Sequence, residues 1–209
     1  MTRTDYSQWG EQQIILDFFG GKVGRFLDLG AFDGLTGSNV RALAEDGWSG
    51  LCVEASAMTF PSLLENMAEF HRVQLVNAAV MPRAEIVRLY ETGSQISTCM
   101  PGHNVGKWVK ASYWVPGITP EQIAETFGGN FDFVSIDIEG MELPLLSAMG
   151  STLIEAQLVC VEERIHNAPR DARYGDALLA ALARHGFVRQ LARTNQGSGN
   201  LLYAKEKAV

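Results

Sequence analysis

The stretch FLDLGAFDGLTGSN, residues 26–39, decides the fold of this chain. An apolar strand ends at Asp28, a loop with Gly30, Gly34 and Gly37 follows, and a helix then begins. After the first strand of a parallel sheet, glycines let the backbone approach a ligand without an intervening Cβ, and the next helix presents free N–H groups. The glycine spacing is neither that of a P-loop nor the GxGxxG of dinucleotide-binding folds. The stretch therefore predicts a ligand-binding loop of another kind.

Acidic residues around this loop indicate the charge of the ligand. Asp28 ends the first strand, Asp33 lies within the loop, and Glu54 ends the second strand twenty positions after Gly34. Two carboxylates would repel a pyrophosphate, whereas they suit a cationic ligand such as S-adenosylmethionine, with its ammonium and sulfonium groups. An acid at the position of Glu54 can accept hydrogen bonds from both ribose hydroxyls. The alternative is a turn glycine with solvated acids at strand ends.

Composition favours one globular domain over residues 1–209, because 46% of the chain is hydrophobic and 20% is charged. The net charge of −7, with no stretch rich in Lys or Arg, disfavours nonspecific binding to nucleic acid or to an anionic membrane. The N-terminal residues lack an apolar signal core, and no run of 18 apolar residues occurs, so we expect a cytoplasmic protein. Cys52, Cys99 and Cys160 are far apart and are predicted to be free thiols.

Apolar runs alternate with helical patterns, as a parallel α/β sheet covered by helices requires. The runs are residues 24–31, 50–55, 73–80, 131–140 and 156–163. The helices are predicted over residues 38–46, 57–70 after a capping Ser56, 119–127 and 174–185. Two further runs, 187–195 and 200–206, flank QGSG and predict a C-terminal hairpin. Residues 92–118, rich in Gly, Pro and aromatics, do not follow the pattern and are predicted to be a lid or a substrate loop.

Several segments of the chain resemble the FkbM family of S-adenosylmethionine-dependent methyltransferases, in the family's order. They are SQWGEQ (7–12), FLDLGAFDGLTGSN (26–39), GWSGLCVEAS (47–56), VNAAV (76–80) and FVSIDIEGMELPLL (133–146). The resemblance covers most of the chain from about Tyr6 to Glu163 and departs from the family's GED at Gln12. It implies an α/β, Rossmann-like class I methyltransferase fold: a mostly parallel seven-stranded sheet with a C-terminal antiparallel hairpin and helices on both faces.

The resemblance implies a cofactor site for S-adenosylmethionine along the carboxyl ends of the strands. Its residues are Gln8, Glu11, Asp28, Gly30, Ala31, Asp33, Gly34, Ser38, Asn39, Glu54, Ala55, Asn77, Ala78 and Asp137. Gln8 and Glu11 would lie over the methionine end, and Asp28 would bind its ammonium directly or through water. Without the resemblance, Glu11 is simply part of an amphipathic helix and Ser38 a helix cap. Asn77 and Ala78 would flank the adenine; an amide that satisfies backbone groups is the alternative for Asn77.

The segment DIEGMEL, residues 137–143, is the predicted chemical centre. Asp137 ends the fourth strand at the topological switch point, and Glu139 follows two residues later, where mutual repulsion would raise one pKa unless a cation or donor intervenes. Glu142 is interpreted as a first-turn carboxylate favoured by the helix dipole. His166 follows the fifth strand and is either structural or catalytic. The predicted catalytic residues are Asp137, Glu139 and His166.

Methyl transfer needs a nucleophile aligned with the methyl group and helped by loss of a proton. Asp137 or His166 could take that proton, or Asp137, Glu162 or Glu163, and His166 could hold a divalent metal; the metal set is left open. The resemblance favours O-methylation of a hydroxyl on a sugar, glycan or secondary metabolite, with a homo-oligomer left open. Two other classes remain as alternatives: an NAD(P)-dependent oxidoreductase and a noncatalytic binding module that keeps the cofactor fold.

Overall fold

The computed structural model describes residues 3–100, 106–150, 152–153, 155–163, 172–194 and 199–206. His166 and residues 195–198, which include the first three residues of the QGSG turn, lie outside the described residues. The helices are α1 (Glu11–Phe19), α2 (Arg41–Glu45), α3 (Phe60–Met67), α4 (Pro120–Phe127), α5 (Glu142–Leu146) and α6 (Ala172–Arg184). The strands are β1 (Arg25–Leu29), β2 (Ser49–Glu54), β3 (Val73–Asn77), β4 (Ala79–Val80), β5 (Ile86–Glu91), β6 (Ala111–Ile118), β7 (Phe133–Ile136), β8 (Leu158–Glu162), β9 (Phe187–Arg193) and β10 (Asn200–Lys205).

Seven strands form the main sheet in the order β3-β2-β1-β7-β8-β10-β9. The pairs among β3, β2, β1, β7 and β8 are parallel, whereas β10 is antiparallel to both β8 and β9. The predicted fold, with its C-terminal hairpin, is therefore confirmed. The chain order reverses between β1 and β7, which is where open α/β sheets bind ligands.

Helices cover both faces of this sheet, as the apolar runs predicted. Phe26 of β1 packs with Ile15, Leu43 and Leu63, which belong to α1, α2 and α3. The next residue, Leu27, packs on the opposite face in the cluster that contains residues of α4, α5 and α6. Successive side chains of a strand point to opposite faces. Both faces of β1 are therefore buried, and the packed sheet fixes the positions of the residues at the carboxyl ends of its strands.

A smaller sheet, ordered β4-β6-β5, follows the third strand. The predicted 92–118 loop is thus wrong in part, because Ala111–Ile118 is a strand that pairs antiparallel with β5. Burial alternates along β5, with Val87 and Leu89 buried and Ile86 and Arg88 exposed. The two strands form a ribbon with one buried face, and the exposed aromatics of β6 obscured this period of two in the sequence. The role of the remaining loop as a lid or substrate loop stays a prediction.

Most of the predicted helix ends lie within two residues of those in the structure. Thr119 and Gln122 form a capping box at the start of α4: the Thr119 hydroxyl accepts the Gln122 N–H at 3.2 Å, and the Gln122 side chain accepts the Thr119 N–H at 3.0 Å. Helix α3 is shorter than predicted, because the Ser56 hydroxyl accepts the Thr59 N–H at 3.0 Å and organises a turn before the helix. The three cysteines are free, as predicted. Within the described ranges, no helix is long and apolar enough to cross a membrane.

Candidate active site

An open pocket with an empty volume of about 940 Å³ lies at the carboxyl ends of β1, β2 and β7. Most of the predicted site residues line it: Gln8, Asp28, Gly30, Ala31, Ser38, Asn39, Glu54, Ala55, Ala78, Asp137 and Glu139. Four other predicted residues belong to its surroundings and not to its described lining: Glu11, Asp33, Gly34 and Asn77. The sheet edge has therefore brought together residues that are up to 131 positions apart, from Gln8 to Glu139.

Gly30 sets the floor of the pocket. Its φ is +86°, and a Cβ added there would lie 1.7 Å from the backbone oxygen of Asp137. The N–H groups of Gly30 and Ala31 both donate to the Val53 oxygen, at 2.9 and 3.1 Å, while the Asp137 N–H donates to the Leu29 oxygen at 2.9 Å. These bonds fix the loop between β2 and β7, so its backbone faces the pocket.

Asp33 and Gly34 shape the same loop from outside the pocket lining. Asp33 Oδ1 accepts the N–H groups of Leu35 and Thr36, at 2.9 and 2.7 Å, and Asp33 Oδ2 accepts the Thr36 hydroxyl at 2.7 Å. A Cβ on Gly34 would lie 2.7 Å from Leu63 Cδ1 of helix α3. The structure gives both residues a part in the loop's conformation, and their contact with a cofactor stays a prediction.

Glu54 faces the pocket with both oxygens oriented by the backbone. Oε1 accepts the Ser56 N–H at 2.6 Å, and Oε2 accepts the Phe32 N–H at 2.9 Å. Burial raises the pKa of Glu54 to about 7, with smaller contributions in the same direction from the charges of Glu91 and Asp28. An ionised carboxylate has about four acceptor positions. Glu54 can therefore accept further hydrogen bonds from a ligand without losing its own support.

Asp28 lies beside Ser135 and Asn39 on the other wall. Burial raises the pKa of Asp28 to about 7, partly offset by its hydrogen bond with Ser135. The Asn39 amide donates to Ser135 Oγ at 3.3 Å, while Asn39 Oδ1 has no hydrogen-bond partner among the described residues. The Ser38 hydroxyl accepts the N–H groups of Val40 and Arg41 at 3.4 and 3.1 Å. Ser38 thus lies in the turn before α2, whose cap position is Val40, and the helix begins three residues later than the predicted 38–46.

Glu142 holds the turn that follows β7. Its side chain is fully buried, accepts the N–H groups of Ile138 and Gly140 at 3.1 and 3.0 Å, and accepts the Tyr174 hydroxyl at 3.0 Å. Glu142 opens helix α5, as predicted. Because Glu142 gathers the N–H groups of the turn, its function in the described structure is to shape the backbone between Asp137 and helix α5.

Glu139 lies at the tip of this turn with a φ of +54°, a left-handed conformation that is uncommon for a residue with a Cβ. Only 4% of it is exposed, and Oε2 has no hydrogen-bond partner in the described part of the chain. Burial, followed by the charges of Asp137 and Glu142, raises the pKa of Glu139 to about 10. Its backbone oxygen accepts the Thr98 hydroxyl at 2.7 Å, which joins the turn to the loop after β5.

Asp137 directly follows β7, at the switch point between β1 and β7. Burial, then the charges of Glu142 and Asp28, raises its pKa to about 7, and its Oδ1 has no hydrogen-bond partner among the described residues. Carboxylate oxygens of Asp137, Glu142 and Glu162 lie within 4.8 Å of one another, close enough to bind one divalent ion. The Glu142 oxygens already accept backbone and tyrosine donors, and the predicted ligand His166 lies outside the described residues. A metal requirement therefore stays a prediction.

Glu11 connects the start of the chain to the C-terminal hairpin. Oε1 accepts the Thr194 hydroxyl at 2.8 Å and the Asn200 amide at 2.9 Å, and Oε2 accepts the Trp9 N–H at 2.8 Å. The side chain is fully buried and does not line the pocket, whereas Gln8 does. Asn77 donates to the Glu54 backbone oxygen at 2.8 Å, as its structural alternative expected. The cofactor contacts of Glu11 and Asn77 stay predictions.

Two features of the pocket were not predicted. Gln95 lines its mouth, accepts the Gln8 amide at 3.2 Å and donates to the Thr36 oxygen at 3.0 Å. Ser135 lines its floor, and only its position two residues before Asp137 on the same face of β7 could have indicated this. No sequence signal marked Gln95, because its partners lie 87 and 59 positions away.

Glu91, at the end of β5, joins the small sheet to the pocket. Its buried carboxylate accepts four hydrogen bonds, from the hydroxyls of Ser56, Ser97 and Tyr113 and from the Gly93 N–H. Burial alone would raise the pKa of Glu91, but these hydrogen bonds bring it below its usual value. Because Ser56 also donates its N–H to Glu54, one serine bridges two buried carboxylates.

Comparison with known proteins gives one family and one fold. The sequence profile described as "Methyltransferase FkbM domain" matches residues 28–189. A search of curated protein sequences finds no match. Among solved structures, the O-methyltransferase TomG of Streptomyces achromogenes, involved in tomaymycin synthesis and bound to SAM, has a TM-score of 0.53 and 13% identity over 94% of this chain and 79% of its own.

Two further solved structures have the same fold. The ribosomal protein L11 methylase of Lactobacillus delbrueckii subsp. bulgaricus has a TM-score of 0.52 and 15% identity, over 94% of this chain and 78% of its own. The Methanococcus jannaschii fibrillarin pre-rRNA processing protein has a TM-score of 0.53 and 13% identity, over 88% of this chain and 67% of its own. The three proteins differ in function, so at these identities the likeness concerns the fold and leaves the acceptor open.

Proposed function

The chain belongs to the family defined by the methyltransferase FkbM domain, and we propose that its pocket binds S-adenosylmethionine and directs the methyl group to a hydroxyl of a sugar or secondary metabolite. One observation carries the proposal. The ionisable carboxyl side chains of the pocket are Asp28, Glu54, Asp137 and Glu139, and its described lining contains no lysine, arginine or histidine. Such a site suits a cationic ligand and disfavours an anionic one.

The residues present fit this cofactor. Asp28 and the unpartnered Oδ1 of Asn39 offer acceptors to an ammonium group, and Glu54 offers oriented acceptors to two ribose hydroxyls. Gly30 and Ala31 line the pocket, and the glycine at position 30 lets the loop after β1 lie in backbone contact with Asp137. The same acids would lie against the pyrophosphate of NAD(P), which disfavours the oxidoreductase alternative.

When bound, S-adenosylmethionine supplies a methyl group on a positively charged sulfur. The chain's own residues would align the acceptor and receive its proton. We assign the proton to Asp137, because its Oδ1 has no hydrogen-bond partner among the described residues, whereas Glu54 accepts two backbone N–H groups and Asp28 is hydrogen-bonded with Ser135. Burial, followed by the charges of Glu142 and Asp28, also raises the pKa of Asp137 to about 7, near neutral pH, where a general base is most effective. A catalytic role for His166, a metal requirement and a cytoplasmic location stay predictions.

The acceptor is proposed to be a hydroxylated molecule without negative charge. The hydroxyl-bearing Ser94 and Ser97 and the amide-bearing Gln95 line the same pocket as Glu139. These groups exchange hydrogen bonds with hydroxyls, whereas the acids would repel phosphate or carboxylate groups. A sugar, a glycan end or a hydroxylated secondary metabolite has the required chemistry.

Calorimetry with S-adenosylhomocysteine and with NAD tests the cofactor assignment. We expect saturable binding of S-adenosylhomocysteine and none of NAD; the opposite result would refute the assignment. Incubation with S-adenosylmethionine and a panel of hydroxylated acceptors, followed by detection of S-adenosylhomocysteine, tests turnover. Cofactor binding without turnover on any acceptor would favour the noncatalytic binding module.

A further inference from the structure

Glu139 lies in a backbone conformation that a glycine would adopt more easily. Its φ is +54°, the following Gly140 has a φ of +106°, and the side chain is 4% exposed. Residues held in such conformations concentrate at functional sites. Burying a carboxyl group that lacks a full set of hydrogen bonds also reduces stability. Glu139 is therefore unfavourable for the fold on two independent counts, and a function of its side chain would explain both.

Glu139 and Asp137 are neighbours in the pocket wall, close enough for the charge of Asp137 to raise the pKa of Glu139. Both residues line the pocket, and both have a buried oxygen, Oε2 and Oδ1 respectively, without a hydrogen-bond partner among the described residues. The Thr98 hydroxyl binds the Glu139 backbone oxygen at 2.7 Å, so Glu139 belongs to the wall covered by the loop after β5. Asp28 and Glu54, at the ends of β1 and β2, lie beside the loop after β1, where the proposed cofactor binds.

We propose that Glu139 hydrogen-bonds a hydroxyl adjacent to the one that is methylated; this inference rests on the proposed function. The acceptor is then a vicinal diol, of the kind found in sugars. Asp137 faces the reacting hydroxyl and Glu139 faces its neighbour. The acceptor O–H bond breaks and its proton passes to Asp137. The oxygen electron pair forms the new O–CH₃ bond as the C–S bond breaks and leaves its electron pair on sulfur. Glu139 is thus a specificity-determining residue.

The experiment uses simple sugars as probes, because the natural acceptor need not be known. The wild-type chain, Glu139→Gly and Glu139→Gln are assayed with S-adenosylmethionine and the methyl glycosides of glucose, galactose, mannose and rhamnose. For each glycoside that is methylated, the monodeoxy analogue that lacks the hydroxyl next to the methylation site is assayed in parallel. Glu65→Gln, a substitution of an exposed acid on α3, is the matched control.

In the wild-type chain we expect loss of the neighbouring hydroxyl to raise KM about tenfold or more, the range for a hydrogen bond with a charged or strongly polar group. In Glu139→Gly the same deletion should change KM by no more than about twofold, because the two changes remove one interaction. Glu139→Gln should keep an intermediate dependence, since the amide retains hydrogen-bonding groups. The affinity for S-adenosylhomocysteine should stay within about twofold in both variants.

The thermal midpoint of Glu139→Gly should equal or exceed that of the wild-type chain, because glycine relieves the left-handed φ. A lower midpoint would show that Glu139 serves the fold and would overturn the proposal. A hydroxyl dependence that persists in Glu139→Gly, a loss of S-adenosylhomocysteine affinity in that variant, or methylation of none of the glycosides by a chain that binds S-adenosylhomocysteine would also overturn it. If the wild-type chain does not bind S-adenosylhomocysteine, it is the proposed function that fails.

Discussion

Gly30 and Asp137 touch through their backbones: a Cβ on Gly30 would lie 1.7 Å from the Asp137 carbonyl oxygen. The first strand and the fourth parallel strand of the sheet thus meet at a point where no side chain fits. This contact places the loop after β1 directly against Asp137, the residue to which we assign the proton. The distance between the two halves of the site is therefore fixed by main-chain atoms.

Gly30→Ala should destabilise the protein by more than the usual cost of a left-handed alanine, about 1–3 kcal/mol, and should abolish S-adenosylhomocysteine binding. Gly47→Ala is the matched control, because Gly47 has a similar φ of +83° and nothing within 4 Å of an added Cβ. Urea denaturation of both variants gives the comparison. Equal destabilisation by Gly30→Ala and Gly47→Ala would show that the backbone around Asp137 moves at little cost in free energy.

Glu54→Ala should weaken S-adenosylhomocysteine binding about tenfold or more, since hydrogen bonds to a charged group contribute about 1.5–3 kcal/mol each before exchange with water. The N–H groups of Phe32 and Ser56 also lose their acceptor, so thermal stability is measured on the same samples. Titration calorimetry gives the affinity. An unchanged dissociation constant would mean that Glu54 only supports the backbone.

Stability without ligand should fall as pH rises from 5 to 8. Burial raises the pKa of Asp28, of Glu54 and, with the charges of Glu142 and Asp28, of Asp137, each to about 7. The folded state therefore binds more protons than the unfolded state between about pH 4 and 7, and each group contributes a slope of up to about 1.4 kcal/mol per pH unit there. Calorimetric scans should show a flatter dependence for Asp28→Asn. A midpoint that rises over this range would contradict the assignment.

Glu91→Gln should loosen the loop after β5 and weaken cofactor binding through Ser56. An amide cannot accept on both sides, so at least one of the donors Ser56, Ser97, Tyr113 and Gly93 loses its partner. Hydrogen exchange should accelerate in residues 92–98, and S-adenosylhomocysteine affinity should fall severalfold. Arg88→Ala, on the exposed face of the same strand, is the control and should leave both unchanged. Unchanged hydrogen exchange of residues 92–98 in Glu91→Gln would exclude the proposed link between Glu91 and this loop.

The main sheet was predictable because its strands are apolar on both faces and its central strands end at or beside acids that line the pocket. Leu27 and Phe26 follow each other and are both fully buried, a pattern that a sheet covered on two sides requires. Strand β6 was not predictable in the same way. Trp114 is 68% exposed and Val115 is buried, so an exposed aromatic stands where the half-buried alternation calls for a polar residue.

In the site, residues at strand ends were predictable and residues on the loops around them were less so. Asp28, Glu54 and Asp137 follow from position alone, since parallel strands end at one edge. Position alone does not show which acids shape a loop and which line the pocket. Asp33 and Glu142 are carboxylates like Asp28 and Glu139, but their oxygens accept hydrogen bonds from nearby N–H groups. Gln95 contacts Gln8 only because the loop after β5 lies over the pocket.

The Glu11 side chain meets partners 183 and 189 positions later in the chain. During synthesis on a ribosome, the first helix is made long before Thr194 and Asn200 exist, so its buried carboxylate cannot find its partners until most of the polypeptide has emerged. The sheet core from β1 to β8 can assemble earlier. The segment around Gln8, which lines the pocket, therefore reaches its final position late. A nascent chain stalled before residue 194 should have a formed central sheet, while the segment around Gln8 is not yet fixed at the mouth of the pocket.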